Sequence, residues 1–155
     1  WGVFEHVATA SNGSFGTDPA GLEKLITVKH KLNPAYLAGS GWFMNRTTVA
    51  EVRTLTDKST DGAFVFVPDF SGNSAGSILG YPIHLLEDMA SYSTTDALAV
   101  AFGNMREAYT IVDRLGIRVL RDPYSSKPYV EFYTTARVGG DVLNFNALKF
   151  VKFGS

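Results

Sequence analysis

The chain has 155 residues, with 14 basic and 15 acidic side chains and a formal net charge of −1, so no basic surface typical of nucleic-acid binding stands out. It has no cysteine, which excludes disulfide scaffolds, thiolate metal sites and cysteine nucleophiles. The sequence begins at Trp1, with neither an initiating Met nor a secretory signal, and we expect it to be a fragment or a processed product.

The first half of the chain predicts two helices. Apolar residues at spacings of three and four follow the capping segment Thr17-Asp18-Pro19, and a proline ends this first helix near Leu32. The apolar run Trp42-Phe43-Met44 is typical of a buried strand. Asn45 then caps a second predicted helix, which extends to about Leu55.

The second half predicts strands joined by polar loops. Short apolar or alternating segments predict strands at residues 63–67, 78–85, 97–102, 109–112 and 117–121. A long strand is predicted over residues 129–138, a glycine turn over 139–141 and a last strand over 142–153. Two early helices and many late strands indicate an α+β fold, with helices packed on a mixed or antiparallel sheet.

The sequence shows no catalytic constellation. His6, His30 and His84 are far apart and lack metal-ligand spacing. Glu87-Asp88 could form an acid/base pair, but adjacent side chains on an extended segment point apart, which favours a surface loop. The residues therefore favour a structural or binding role over an enzyme.

An ordered series of segments resembles the C-terminal half of HK97-like major capsid proteins of tailed phages. The aromatic strand and Asn at residues 42–45 are followed by Leu55-Thr56-Asp57 and then by ILGYPIHLLEDM at residues 78–89. The stretch at residues 97–124, ALAVAFGNMREAYTIVDRLGIRVLRDPY, resembles the family's apolar strand with its FGD/N, AY and DR elements, and Asn104 stands where Asp is commoner. The final strands, at residues 130–153, resemble the family's closing segment.

This resemblance implies an HK97-like α+β capsid fold, in which an axial domain has a mixed sheet flanked by helices. Residues 15–115 are expected to form the axial domain, and residues 1–14 and 116–155 a portion of the peripheral domain. The family's N-terminal arm, extended loop and spine helix have no counterpart in the sequence, so we expect residues 1–155 to assemble poorly by themselves.

The resemblance also implies a function. A structural subunit of a phage or prophage capsid is expected to self-assemble into pentamers and hexamers that enclose double-stranded DNA, which it contacts without sequence specificity. Further implied partners are scaffolding, portal and decoration proteins, and no membrane, cofactor, metal or catalytic residue is implied. The expected location is the virion capsid, assembled in the bacterial host cytoplasm. Two alternatives are an encapsulin-type nanocompartment shell and a small-ligand-binding α+β domain.

Three loops are candidate contacts between subunits, namely residues 68–77 and 87–96 at the axial tip and residues 122–128 at the periphery. The candidate side chains are Asp69, Asn73, Glu87, Asp88, Asp122, Tyr124, Lys127 and Arg137. Arg118, Arg121 and Arg137 could pair with acids of neighbouring subunits or guard exposed strand edges. The alternative for each loop is an ordinary solvated surface.

Overall fold

The computed structural model describes residues 3–9, 11–16, 19–57, 62–64, 66–68 and 75–154. The chain splits into two compact units: Trp1–Ala108 together with Asn144–Ser155, and Tyr109–Leu143. This division follows packing density alone, and the assignment of residues to axial and peripheral lobes stays a prediction.

The described elements follow in chain order. They are β1 (His6–Ala8), α1 (Ala20–Lys31), β2 (Gly41–Met44), α2 (Arg46–Val52), β3 (Phe66–Val67), β4 (Ser77–Ile78), β5 (Tyr81–Leu85), β6 (Ala97–Gly103), α3 (Met105–Ala108), β7 (Tyr109–Asp113), β8 (Arg118–Asp122), β9 (Glu131–Thr135), β10 (Val138–Val142) and β11 (Leu148–Phe153). Two 3-10 turns lie at Pro34–Tyr36 and Phe145–Ala147. No helix in the described part of the chain is long and apolar enough to span a membrane.

The first unit is built on a seven-stranded sheet with the order β1-β11-β6-β2-β5-β4-β3. The pairs β1–β11 and β2–β5 are parallel, and the other pairs are antiparallel. The sheet is therefore mixed, and with its helices it confirms the predicted α+β class.

The core of this unit lies where α1 and α2 pack on the sheet. Trp42 of β2 is fully buried, its ring centroid lies 4.3 Å from that of Phe102, and its indole N–H donates to the Ile78 carbonyl oxygen at 3.0 Å. The helices contribute Leu25, Val28, Val49 and Val52 to the same apolar cluster. Burial of these side chains is the main source of stability, since truncating a core aromatic residue to Ala costs about 3–5 kcal/mol.

Helix boundaries agree with the sequence in part, because α2 ends at Val52, three residues before the predicted Leu55. The Asn45 side chain accepts a hydrogen bond from the Thr47 N–H at 2.9 Å, which confirms the predicted cap of α2. Helix α1 ends at Lys31, as predicted, whereas Thr17 and Asp18 of its predicted cap lie outside the described residues.

Gly103 and Asn104 join three parts of the first unit. Gly103 has a φ of +150°, and a Cβ there would lie 2.0 Å from the Ala147 carbonyl oxygen, so only glycine fits. The Asn104 side chain accepts from the Arg106 N–H at 3.1 Å and donates to the Ala38 carbonyl oxygen at 2.8 Å. An aspartate could reproduce the first bond, but an ionised carboxylate could not donate the second.

An ion cluster holds the edge strand β1 against its neighbours. The Glu5 carboxylate contacts Lys149 at 2.8 Å and Lys31 at 3.0 Å. The Lys149 side chain is only 7% exposed, whereas Glu5 is 47% exposed. Hydrogen bonds from Lys149 and then Lys31 lower the pKa of Glu5 from an ordinary value of 4.5 to about 2.

The predicted arrangement of the last three segments is wrong. The strand predicted at residues 129–138 is only β9, and the turn predicted at 139–141 lies inside β10, where Gly140 pairs with Ile111. A Cβ on Gly140 would lie 2.5 Å from the Tyr109 hydroxyl, so this glycine makes room for a side chain rather than for a turn. The strand predicted at 142–153 is interrupted by the 3-10 turn at Phe145–Ala147, which Asn144 caps.

Candidate subunit-contact surface

The second unit, residues 109–143, consists of two antiparallel strand pairs, and we call it the β-ribbon. Strand β7 pairs with β10, and β8 pairs with β9. Asp113 lies opposite Val138, and the next regular pair is Arg118 opposite Thr135. Four residues on one strand therefore face two on the other, which is a bulge of two extra residues.

No residue of the β-ribbon is buried. Large apolar side chains are exposed along both of its faces: Ile111, Val112, Leu115, Ile117, Val119, Leu120, Tyr124, Tyr129, Val130, Phe132, Tyr133, Val138 and Leu143. Phe132 and Tyr133, which are neighbours on β9 and point to opposite faces, are 65% and 67% exposed. A two-stranded ribbon without an apolar layer against it is marginally stable. Exposed apolar area on this scale is typical of a surface that other protein covers.

The turn between β8 and β9 brings three of the predicted contact residues together. The Asp122 carboxylate accepts from the Tyr124 N–H at 2.8 Å and the Ser125 N–H at 3.3 Å, and it also bonds the Ser125 hydroxyl. The hydrogen bond from the Ser125 hydroxyl, followed by that from the Tyr124 N–H, lowers the pKa of Asp122. Asp122 therefore shapes this turn and leaves Tyr124 (79% exposed) and Lys127 on its surface.

The other predicted contact residues lie apart from this turn. Arg137 follows β9 at the bulge and is exposed. Glu87 and Asp88 lie in the exposed turn after β5, in the first unit, where the Asn45 side chain fixes the Glu87 carbonyl oxygen at 3.0 Å. Asp69 and Asn73 lie outside the described residues. A contact role for all eight residues stays a prediction.

Sequence reasoning missed the bulge and the two-sided exposure of the β-ribbon. Alternation of apolar and polar residues usually means that one face of a strand is buried, so residues 117–121 predict a strand with one solvent-exposed face. The signal that was available is the glycine in Leu115-Gly116-Ile117, which has a φ of +59° at the bulge.

Within the described parts of the chain, no group of three or more His, Cys, Asp or Glu side chains could hold a metal ion. His30 is exposed on α1, as the sequence predicted. His84 is also exposed, and its ring stacks on Phe43 with centroids 5.0 Å apart.

Comparisons with known proteins agree with this arrangement. The family model described as the phage capsid family matches residues 1–153. The capsid structures of an empty and a native GTA particle, both computed with C5 symmetry, are 37% and 38% identical to the chain over its whole length, with TM-scores of 0.79 and 0.77. The chain covers 51% and 56% of those two chains, so it spans about half their length.

A structure from Gordonia phage Cozz is similar in fold alone. It is 16% identical to the chain, with a TM-score of 0.54, and the match covers 98% of this chain and 50% of that one. No curated protein matches the chain.

Proposed function

Because the chain belongs to the phage capsid family, we propose that it acts as part of a structural subunit that self-assembles into the capsomers of an icosahedral phage or prophage capsid. The family match over residues 1–153 supports a capsid subunit, and the shell would enclose double-stranded DNA. The chain's own contribution would be a folded sheet domain together with a ribbon for contacts between subunits.

The observation that carries this proposal is the β-ribbon. Its 35 residues, Tyr109–Leu143, include no buried side chain, although many of them are large and apolar. A closed shell is made from repeated contacts of fixed geometry between identical copies, and such contacts bury surface of this kind. The proposal therefore explains why the surface of the ribbon is open in residues 1–155, which span about half the length of the matched GTA capsid chains.

The predicted lobes and contacts form part of the same proposal. Residues 15–115 would form the axial lobe, and residues 1–14 and 116–155 part of the peripheral lobe. Glu87 and Asp88 would then contact neighbours within a capsomer, and the turn that Asp122 shapes would contact a neighbouring capsomer. The exposure of both turns supports these assignments.

Partners beyond the subunit itself are also proposed. Portal, scaffolding and decoration proteins would bind the assembled shell, and packaged DNA would be contacted without sequence specificity. The formal net charge of −1 fits a wall that encloses DNA without binding it tightly. Assembly would take place in the host cytoplasm, and the protein would end up in the virion.

The subunit is proposed not to be an enzyme, and this rests on the structural nature of its family. The two alternatives, an encapsulin-type shell and a small-ligand-binding domain, gain no support from the fold or the comparisons. A shell that captures a cargo enzyme in place of DNA would favour the encapsulin alternative.

Electron microscopy of the complete gene product that contains residues 1–155, expressed alone and purified, tests the proposal. Closed shells or ring-shaped capsomers are the expected result, and only soluble monomers at all concentrations would contradict it. Size-exclusion chromatography with light scattering on residues 1–155 alone gives a second test, because this part should not form closed shells by itself.

A further inference from the structure

The bulge of the β-ribbon forms a cleft of about 340 Å³. Its lining residues are Leu115, Gly116, Arg118, Thr135, Ala136 and Arg137. The bulge is held open by two hydrogen bonds, from the Gly116 N–H to the Asp113 carboxylate at 3.2 Å and from the Arg114 N–H to the Arg137 carbonyl oxygen at 3.1 Å. These two hydrogen bonds define the backbone shape of the bulge that lines the cleft.

Two arginines share this cleft. Arg118 lies directly opposite Thr135, and paired residues of antiparallel strands point to the same face. Arg137 comes two residues after Thr135, and it lines the cleft with the other two. Arg118, Thr135 and Arg137 therefore line one small space.

Neither arginine has a charged or hydrogen-bonded side-chain partner among the described residues, whose three ion pairs all lie in the first unit. Each acidic side chain of the ribbon accepts a hydrogen bond from a residue at most five positions away. Asp113 bonds the Gly116 N–H, Asp122 and Glu131 bond residues of the β8–β9 turn, and Asp141 bonds the Val142 N–H. The Asp113 carboxylate lies beside the cleft, but among the described residues it forms no ion pair with Arg118 or Arg137, so both guanidinium groups can still bind a further carboxylate.

The surroundings of the cleft favour a protein ligand over DNA. Leu115 and Ile117, at and beside the cleft, are 47% and 74% exposed, and Tyr133 is 67% exposed on the same face as Thr135. A DNA phosphate would neutralise the arginines but would leave this apolar surface exposed to solvent. A carboxylate on a folded protein surface can accept paired N–H bonds from a guanidinium group while its neighbours cover the apolar rim.

We propose that this cleft receives an Asp or Glu side chain from a second copy of the chain and thereby fixes the angle between two subunits. The inference rests on the proposed shell function and deepens it, because it names the chemistry of one contact. Arg137 and Arg118 would bind the carboxylate, and the Thr135 hydroxyl would donate to its free oxygen. The contact is buried only in the assembly, so its loss is expected to appear in assembly and not in folding.

The test uses Arg137→Gln in the complete gene product, with Arg121→Gln as the matched control. Arg121 pairs with Phe132, faces away from Arg118 on β8 and does not line the cleft. The concentration at which half of the protein is assembled, measured by light scattering, should rise at least tenfold for Arg137→Gln and by less than twofold for Arg121→Gln. Arg137→Lys should lie between the two, because it keeps the charge but loses the paired donors. Thermal unfolding of all unassembled variants should be unchanged, since these side chains are exposed.

A photo-cross-linking amino acid at position 118 gives an independent measurement. A cross-link to an Asp- or Glu-containing peptide of a second copy, identified by mass spectrometry, would support the inference. A cross-link to DNA would overturn it, and so would equal effects of Arg137→Gln and Arg121→Gln in protein that still forms shells. If the unmodified protein forms no shells and the position-118 variant gives no cross-link, the proposed function is overturned as well, so the two failures can be told apart.

Discussion

Replacement of Glu5 by Gln should destabilise the first unit by isolating a buried charge. Glu5 is bonded to Lys149, whose side chain is 7% exposed, and to Lys31, which is 40% exposed. A glutamine of the same size keeps a hydrogen-bond acceptor but loses the negative charge. Lys149 would then remain charged in a place where water reaches it poorly.

The size of the effect follows from these exposures. Removing one partner of a fully buried ion pair costs about 3–5 kcal/mol, whereas an exposed pair contributes about 0–1 kcal/mol. Glu5 is itself 47% exposed, so solvent screens the pair and the cost falls between these limits, at about 1–2 kcal/mol. With a urea dependence of about 1–3 kcal/mol per M, the unfolding midpoint should fall by roughly 0.3–2 M.

The same pair sets a pH window. The pKa of Glu5 is about 2 in the folded protein and 4.5 ordinarily, so the unfolded chain takes up the proton first as the pH falls. The contribution of Glu5 is therefore complete above about pH 4.5 and is lost between about pH 4.5 and pH 2. The difference in stability between the Glu5→Gln variant and the unmodified chain should shrink over that window.

Urea unfolding followed by the fluorescence of the buried Trp42 measures both effects. The control is Glu87→Gln, which removes the same charge from an exposed turn without an ion pair among the described residues. Lys149→Met should cost less than Glu5→Gln, because the half-exposed carboxylate left behind can be hydrated. Equal midpoints for the Glu5→Gln and Glu87→Gln variants at pH 7 would refute the reasoning.

Three further predictions concern the two units. Gly103→Ala should lower the free energy of unfolding by more than about 4 kcal/mol, because the new Cβ would lie 2.0 Å from the Ala147 carbonyl oxygen. Gly139→Ala should change it by less than about 1 kcal/mol, because a Cβ there meets nothing within 4 Å. Thermal unfolding compares the two variants, and similar values would contradict the packing argument. Asn104→Asp should lower the free energy of unfolding at pH 7 by about 1–2 kcal/mol, because the donor to the Ala38 carbonyl is lost while the helix cap is kept, and an unchanged urea midpoint would contradict it. In unassembled protein, backbone amides of the β-ribbon should exchange hydrogen faster than those of β6, and they should become protected on assembly. Hydrogen exchange followed by mass spectrometry measures both effects. Equal protection of the two segments before assembly would argue against an uncovered ribbon.

The sequence was most informative where a segment packs against its own chain. Helices α1 and α2, the Asn45 cap and the buried strand at Trp42 all follow from patterns of a few residues, and the structure confirms them. These elements share one core, so local pattern and tertiary packing require the same structure. The family resemblance is likewise confirmed by the match over residues 1–153.

The sequence was least informative in the β-ribbon. The glycines at 139 and 140 read as a turn because the strand role of Gly140 depends on Tyr109, which lies about 30 residues earlier. Exposure on both faces could not be predicted. The alternation of apolar and polar residues along a strand does not say whether the apolar side packs against the same chain or against another one. A contact role for the eight predicted residues remains a prediction for the same reason, since residues 1–155 alone contain no neighbouring subunit.

The absence of a core in the β-ribbon also bears on how this protein can change through evolution. Substitutions around Trp42 change the stability of a single chain, and selection removes most of them because they create cavities or strain. Substitutions at Phe132 or Tyr133 leave that core untouched, and under the proposed function selection acts on them through the fit between copies. Ribbon residues should therefore vary together with the residues that they meet on neighbouring copies, so that related phages can diverge in their shell contacts while keeping a common subunit fold.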